Sequence, residues 1–138
     1  MKTDSSSPNQ ITDYLLTRAD YNLSQQSLNL KQSQVQDEMD FLGGIGRSFK
    51  IMSEYQVEDP FAPESPLVVN IGCLTGTAYM TGLRTYFTAY SPLKRTIQGA
   101  PMASWSAMSG SFGRKYRSTG LDDLVLTGCA ARPSILVL

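Results

Sequence analysis

The stretch GSFGRKYRSTGLDDLVLTG, residues 110–128, begins with two closely spaced glycines, Gly110 and Gly113, which a basic cluster and an apolar run follow. Three apolar side chains recur at intervals of four, which predicts one face of a short helix from about Ser109: Met108, Phe112 and Tyr116. Gly120 suits the left-handed position after the last helical turn, and residues 124–126 predict a buried strand. The glycines at the helix start either let a backbone approach an anionic ligand or only permit a tight connection.

Outward from this stretch, apolar and β-prone runs predict further strands at LVVNIG (67–72), RTYFTAYSP (84–92) and SILVL (134–138). Residues 13–30 predict a β-hairpin with its turn at 19–22, because Asp and Asn favour turns. Gly99 and Pro101 predict an irregular segment between the 84–92 strand and the helix. The order predicts an α+β fold of β-sheets with short intervening helices, in repeated β-β-α-β-like units and β/α/β layers. The apolar strand 134–138 predicts a partner that covers it, or self-association through an exposed strand edge.

A second helix is predicted within residues 37–55, where four apolar side chains share one helical face: Phe41, Ile45, Phe49 and Met52. Gly43, Gly44 and Gly46 fall in the same segment, and each glycine costs a helix interior about 1 kcal/mol against alanine. Such glycines indicate close approach by a ligand, or close packing of the helix on a sheet.

Length and charge restrict the function. The chain has 138 residues, with 12 Lys and Arg against 12 Asp and Glu, so it lacks the basic excess of a non-specific nucleic-acid binder. No apolar run reaches the roughly 20 residues that span a bilayer, and residues 1–10 predict a polar, flexible tail rather than a signal peptide. We therefore expect a cytoplasmic protein that binds neither nucleic acid nor membrane.

The reactive residue types exclude several kinds of site. There is no histidine, so a Ser-His-Asp or Cys-His system cannot be assembled from this chain alone. Its two cysteines, Cys73 and Cys129, are too few for a four-thiolate cluster. Because each lies beside an apolar run, we expect both to be buried structural thiols, with a disulfide or metal role as the alternative.

Four segments in this order resemble the N-terminal domain of tungsten-containing aldehyde:ferredoxin oxidoreductases: FLGGIG (41–46), LTGT (74–77), GLRTYFTAYSPL (82–93) and residues 109–137. The resemblance implies a pterin-binding domain over residues 11–138, incomplete at its C-terminal side. In the family this domain is the base for a tungsten or molybdenum bis-pterin cofactor with a bridging magnesium ion.

The resemblance also implies site residues. The family's arginine next to the pterin phosphates falls on Arg84, and a guanidinium offers a planar fork to phosphate oxygens. The family's serine–glycine–glycine helix start falls on Ser109, Gly110 and Ser111, which favours the anion-binding interpretation of the opening stretch. An alternative alignment places residues 102–104 in that role, and the alternative interpretation of Arg84 is a surface arginine that opens a strand.

Two positions depart from the family pattern. Ile45 stands where the family has an arginine in the first glycine motif, between the cofactor candidates Gly44 and Gly46, with Arg47 two residues later. Ala107 replaces an asparagine whose carbonyl helps to hold magnesium, although a backbone carbonyl survives that change. We predict no catalytic residue and no metal ligand in this chain.

The resulting hypothesis is a cofactor-binding domain or subunit of an enzyme that oxidises aldehydes to carboxylates and is inactive as this chain alone. Electrons would pass through a [4Fe–4S] cluster bound by regions absent here to ferredoxin. The expected partners are the remaining domains or a companion subunit. The alternatives are a non-catalytic structural or interaction module that keeps the fold without the cofactor, and an unrelated small ligand-binding domain.

Overall fold

The computed structural model describes residues 14–78 and 82–138, so the predicted flexible tail, residues 1–10, lies outside it. No helix in these ranges is long and apolar enough to cross a membrane. A short 3-10 helix spans Val35–Phe41. The other elements are, in chain order, β1 (Leu15–Asn22), β2 (Ser27–Gln34), α1 (Gly44–Met52), β3 (Leu67–Ile71), β4 (Thr85–Arg95), β5 (Pro101–Met108), α2 (Ser111–Arg117) and β6 (Asp123–Thr127).

All six strands form one mixed sheet in the order β2-β1-β6-β3-β4-β5. β1 and β6 run parallel, and the other neighbouring pairs are antiparallel. The predicted α+β class is confirmed. The chain order also runs twice through β-β-α-β, as predicted, but β1 is parallel to β6 while β4 is antiparallel to β3, so the repeat does not extend to strand direction.

The core lies on both faces of the central strands. One face packs Val69 and Leu124 against Tyr116 of α2. The opposite face carries a second cluster, in which α1 covers the sheet: Ile51, Met52, Val68 and Val125. The layers are therefore helix, sheet and helix, where β/α/β layers were expected. Apolar residues on both faces of β3 and β6 require cover from both sides.

The N-terminal hairpin is confirmed, but its turn lies later than predicted. Residues 19–22 all pair with β2, and the chain turns at residues 23–26. The Asn22 side-chain oxygen accepts hydrogen bonds from the backbone N–H groups of Ser24 and Gln25, both at 3.0 Å. The turn preference of asparagine therefore acts on the residues that follow it.

Helix α1 is present, but of the four side chains on the predicted apolar face only Met52 is buried. Phe41 precedes the helix and Phe49 is exposed, whereas Arg47 and Ser48 are buried with Ile51. Arg47 is buried because its Nε donates to Asp123 Oδ2 at 2.5 Å. Apolar periodicity does not register a buried ion pair, which is why this prediction was wrong.

The segment predicted to be irregular is the second half of a hairpin. β4 continues to Arg95, and Pro101–Met108 form β5. The register between β4 and β5 shifts between Tyr90 and Arg95, where Pro92 lies, and Gly99 takes φ 87° in the turn. The helix-breaking residues thus mark a bulge and a turn within a sheet.

Residues 134–138 form no strand. Ile135 and Val137 are 92% and 85% exposed, and the edges of the described sheet are β2 and β5. Residues 136–138 line a cavity together with Leu28 and Leu30 of β2, but they are not paired with any described strand. The strand predicted at 134–138 is therefore wrong, while self-association of the chain stays a prediction.

Candidate functional site

Arg84 lies immediately before β4, in a cavity of about 270 Å³ at one end of the sheet. Residues 72–75, which follow β3, line this cavity together with Gly82, Leu83 and Tyr86. The cavity forms here because β3 ends and β4 begins at the same end of the antiparallel pair. We call this space the Arg84 cavity.

The Arg84 guanidinium is the one charged group among the cavity's lining residues. Arg84 is exposed, and its side chain makes no ion pair or hydrogen bond within residues 14–78 and 82–138. No carboxylate lines the cavity. An unpaired guanidinium without an acidic neighbour suits a phosphate-bearing ligand better than a cation.

Two residues that the sequence analysis did not single out fix the surroundings of Arg84. The buried Thr75 Oγ1 donates to the Arg84 backbone carbonyl at 3.0 Å. The Tyr86 ring lines the cavity and packs edge-on against Trp105, with 6.1 Å between ring centroids. Thr75 could have been found from the sequence, because it lies within the LTGT segment that carries the family resemblance. Nothing in the sequence pointed to Tyr86 beyond its place in a predicted strand.

The two glycines predicted to contact a cofactor, Gly44 and Gly46, have different surroundings in the structure. Gly44 begins α1 with φ 64°, and an added Cβ would lie 3.3 Å from the Tyr86 ring. Packing against Tyr86, beside the cavity, therefore explains the glycine at position 44 without a cofactor. An added Cβ on Gly46 would meet no atom within 4 Å, so no described residue requires glycine there.

Ala107 and residues 109–111 lie at the same end of the sheet. Ala107 is paired with Tyr86, and Thr85 is paired with Met108, so Arg84 and Ser109 are the next residues beyond the ladder. Ser109, Gly110 and Ser111 connect β5 to α2 and are exposed, but they do not line the Arg84 cavity. Residues 102–104, the alternative for this role, lie within β5.

Both cysteines are exposed and free, so the expectation of buried thiols was wrong. Cys73 is in the loop after β3, and Cys129 follows β6. Each apolar run ends before its cysteine, where the chain has already left the sheet. Within the described ranges, no three His, Cys, Asp or Glu side chains are grouped to hold a metal ion.

The basic residues of α2 divide into two kinds. Arg114 and Lys115 are exposed, which is typical of the solvated face of a helix. Arg117 instead donates from Nη1 to Asp122 Oδ1 at 2.9 Å and from Nη2 to the Cys73 carbonyl at 2.7 Å. It therefore connects α2 to the loop that lines the Arg84 cavity.

Asp123 and Tyr14 are among the ionisable groups outside the cavity whose pKa values are shifted. Burial raises the pKa of Asp123 more than the neighbouring Arg47 guanidinium lowers it. Partial burial, followed by a hydrogen bond to the Asp122 carboxylate, raises the pKa of Tyr14 to about 12. Both groups serve the structure, since neither lines the Arg84 cavity.

Residues 19–138 match the family model described as "Aldehyde ferredoxin oxidoreductase, N-terminal domain". The chain belongs to this family. The tungsten-containing aldehyde ferredoxin oxidoreductase of Pyrococcus abyssi is 32% identical over 95 residues, which are 69% of this chain and 15% of that protein. Its namesake from Pyrococcus furiosus is 35% identical over 75 residues, 54% of this chain and 11% of that protein.

The aldehyde ferredoxin oxidoreductase N-terminal fold is also found in a solved structure. This is the active site complex BamBC of benzoyl coenzyme A reductase with 1,5-dienoyl-CoA, matched with a TM-score of 0.73 and 24% identity. The match covers 84% of this chain and 17% of that one, and it shows the fold alone. The chain thus spans between 11% and 17% of the proteins that it matches here.

Proposed function

We propose that residues 11–138 are the cofactor-contacting N-terminal part of a tungsten or molybdenum bis-pterin aldehyde oxidoreductase. When bound, the metal–pterin group would supply the oxidation of an aldehyde to a carboxylate, with electrons leaving through a [4Fe–4S] cluster to ferredoxin. This chain offers no histidine and no described metal-ligand cluster, so the remaining domains or a companion subunit would bind the iron–sulfur cluster. A cytoplasmic location belongs to the same proposal.

The observation that carries this proposal is the unpaired Arg84 guanidinium in a cavity without acidic residues. Its backbone is fixed by Thr75, so the start of the side chain is already oriented before a ligand arrives. An arginine in this state would hold the phosphate oxygens of the pterin by two parallel hydrogen bonds. The backbone of Ala107 and of Ser109–Ser111 lies at the same end of the sheet, outside the cavity, and would hold a further part of the cofactor.

The chain's own contribution would be binding and orientation. A guanidinium offers hydrogen-bond donors and no acceptor, so Arg84 would hold a ligand without acting as its acid or base. No other charged side chain lines the cavity. The domain would thus fix the phosphate end of the cofactor and leave proton and electron transfer to residues beyond this chain.

Metal retention tests the proposal. In the enzyme assembled with its remaining polypeptide, Arg84→Ala should lower tungsten or molybdenum content, with a cofactor affinity at least about tenfold weaker, because a hydrogen bond to a charged group contributes roughly 1.5–3 kcal/mol. Lys115→Ala is the matched control, since Lys115 is exposed and does not line the cavity. Both variants should melt like the unmodified chain. Unchanged metal content in Arg84→Ala would contradict the role of Arg84.

One observation favours the alternative of a structural module without cofactor. Arg47, the basic residue nearest to the missing family arginine at Ile45, is held by Asp123 and Glu38. It therefore cannot replace that arginine at the cofactor. Absence of both metals from the unmodified assembled protein would support this alternative over the cofactor-binding function.

A further inference from the structure

The loop that lines the Arg84 cavity is held in place by α2. Arg117 Nη2 donates to the Cys73 carbonyl at 2.7 Å, within the loop. Three residues later, Gly76 has φ 77°, and an added Cβ would lie 2.9 Å from the Arg117 Cβ. The loop therefore contacts both the guanidinium and the stem of Arg117.

Arg117 is itself held from its other side. Its Nη1 donates to Asp122 Oδ1 at 2.9 Å and to the Tyr14 hydroxyl at 3.0 Å. The second carboxylate oxygen of Asp122 accepts from the Thr17 backbone N–H of β1 at 2.8 Å. Because each partner is bound to another element, Arg117 links the loop to the sheet as well as to α2.

The loop transmits this restraint to Arg84. Thr75 Oγ1 donates to the Arg84 carbonyl at 3.0 Å, and the Gly76 N–H donates to the Gly82 carbonyl at 2.8 Å. An added Cβ on Gly82 would lie only 2.1 Å from the Leu74 carbonyl oxygen, so the two sides of the loop are in direct contact. A shift of residues 73–76 would therefore move the backbone that carries Arg84.

We propose that Arg117 is a positioning residue for the Arg84 cavity. It would fix the loop 72–77 by bridging Asp122 and the Cys73 carbonyl, so that Arg84 meets a phosphate group in one orientation. The phosphate ligand rests on the function proposed above. The restraint on the loop rests only on the contacts of Arg117.

Amide hydrogen exchange of the 138-residue chain tests the restraint. In Arg117→Met, the amides of Thr75 and Gly76 should exchange about tenfold faster or more, because a charged hydrogen bond that holds the loop is lost. The amides of β3 and β6 should keep their exchange rates. Arg114→Met is the matched control, since Arg114 lies on the same helix, is exposed and has no side-chain partner within the described ranges. Equal exchange in Arg117→Met and Arg114→Met would overturn the proposal.

Binding of inorganic pyrophosphate, measured by NMR titration, tests the consequence for the ligand. Arg84→Ala should abolish saturable binding, Arg117→Met should weaken it several-fold, and Arg117→Lys should lie between, since an ammonium cannot span both acceptors. Arg114→Met should bind like the unmodified chain. Loss of binding in Arg84→Ala with full binding in Arg117→Met overturns the positioning role alone. Equal binding in Arg84→Ala and the unmodified chain refutes the proposed function, and the positioning role falls with it.

Discussion

Arg47 and Asp123 place a charged pair inside the core. Asp123 is fully buried on β6, and the Arg47 side chain is 6% exposed. Glu38 adds a second carboxylate to the guanidinium, at 3.2 Å from Nη1. Neither residue could be assigned to the core from the sequence, because charged side chains ordinarily mark the solvent face of a helix. Their burial depends on each other, and that dependence joins residues 76 positions apart.

Removal of one member of the Arg47–Asp123 pair should therefore lower the free energy of unfolding. Arg47→Met would leave the Asp123 carboxylate buried without its cation, and we expect unfolding free energy to fall by about 3–5 kcal/mol. Urea unfolding followed by tryptophan fluorescence measures this loss. Arg84→Ala should change the same quantity little, since Arg84 is exposed and unpaired within the described ranges. A loss below about 1 kcal/mol in Arg47→Met would show that solvent reaches Asp123.

The Tyr14 phenol reports on the contacts around Asp122. Its pKa lies at about 12 rather than 10.0. Because the folded chain holds this proton more tightly than the unfolded chain, the associated stability is complete below pH 10 and is lost as the pH rises through about 12. Asp122→Asn should bring the Tyr14 pKa down toward its ordinary value. Ring carbon chemical shifts across the alkaline range measure it, and an unchanged pKa would contradict the Asp122 contact.

At the scale of elements, the sequence correctly predicted those strands and helices whose apolar side chains pack in the core. β3 and β6 were predicted from the apolar runs at 67–69 and 124–126, and α2 because Tyr116 packs on the sheet with the predicted spacing. β5 was missed because it is an edge strand whose exposed residues are not selected by a core. Of the candidate site, Arg84 came from family resemblance, and its contact with Thr75 is a tertiary feature that local patterns do not contain.

Two helix glycines offer a matched pair of substitutions. In α2, an added Cβ at Gly113 would lie 2.8 Å from the Thr75 Cγ2 and 2.9 Å from the Leu83 carbonyl oxygen. Gly113→Ala should therefore destabilise the chain by about 1–3 kcal/mol. In α1, Gly46→Ala meets open space and should stabilise it by about 0.5–1 kcal/mol. Thermal melting compares the two, and destabilisation by Gly46→Ala would contradict the described packing of α1.

In the whole molecule, the Arg84 cavity, the start of α1 and residues 109–111 all lie at one end of the sheet. Helix α1 begins there at Gly44 against Tyr86, the loop after β3 lines the Arg84 cavity, and β5 leads into residues 109–111. The antiparallel order of β3, β4 and β5 produces this grouping, since the end of one strand adjoins the start of the next. In the sequence the same residues are spread from 44 to 111, about half of the chain.

The two edge strands of the sheet, β2 and β5, differ in their protection against pairing with another chain. β5 and its flanks carry no charge from residue 96 to 113, whereas β2 contains Lys31. Because an uncharged edge strand invites pairing, the isolated chain should associate with itself through β5 as its concentration rises. Ser106→Lys should weaken this association several-fold, and Gln32→Lys on β2 should not. Sedimentation velocity over a concentration series measures it. A monomer at every concentration, or equal effects of both lysines, would contradict the prediction.

The position of β6 also bears on how the protein is made. This strand is the last in the chain, yet it lies between β1 and β3 and completes both hydrophobic clusters. Until residues 123–127 are available, the β1–β2 hairpin and the three strands β3, β4 and β5 have no strand that joins them. Such an intermediate exposes apolar surface and open strand edges, which are what chaperones recognise. We therefore expect the two parts of the sheet to join only after residues 123–127 have left the exit tunnel.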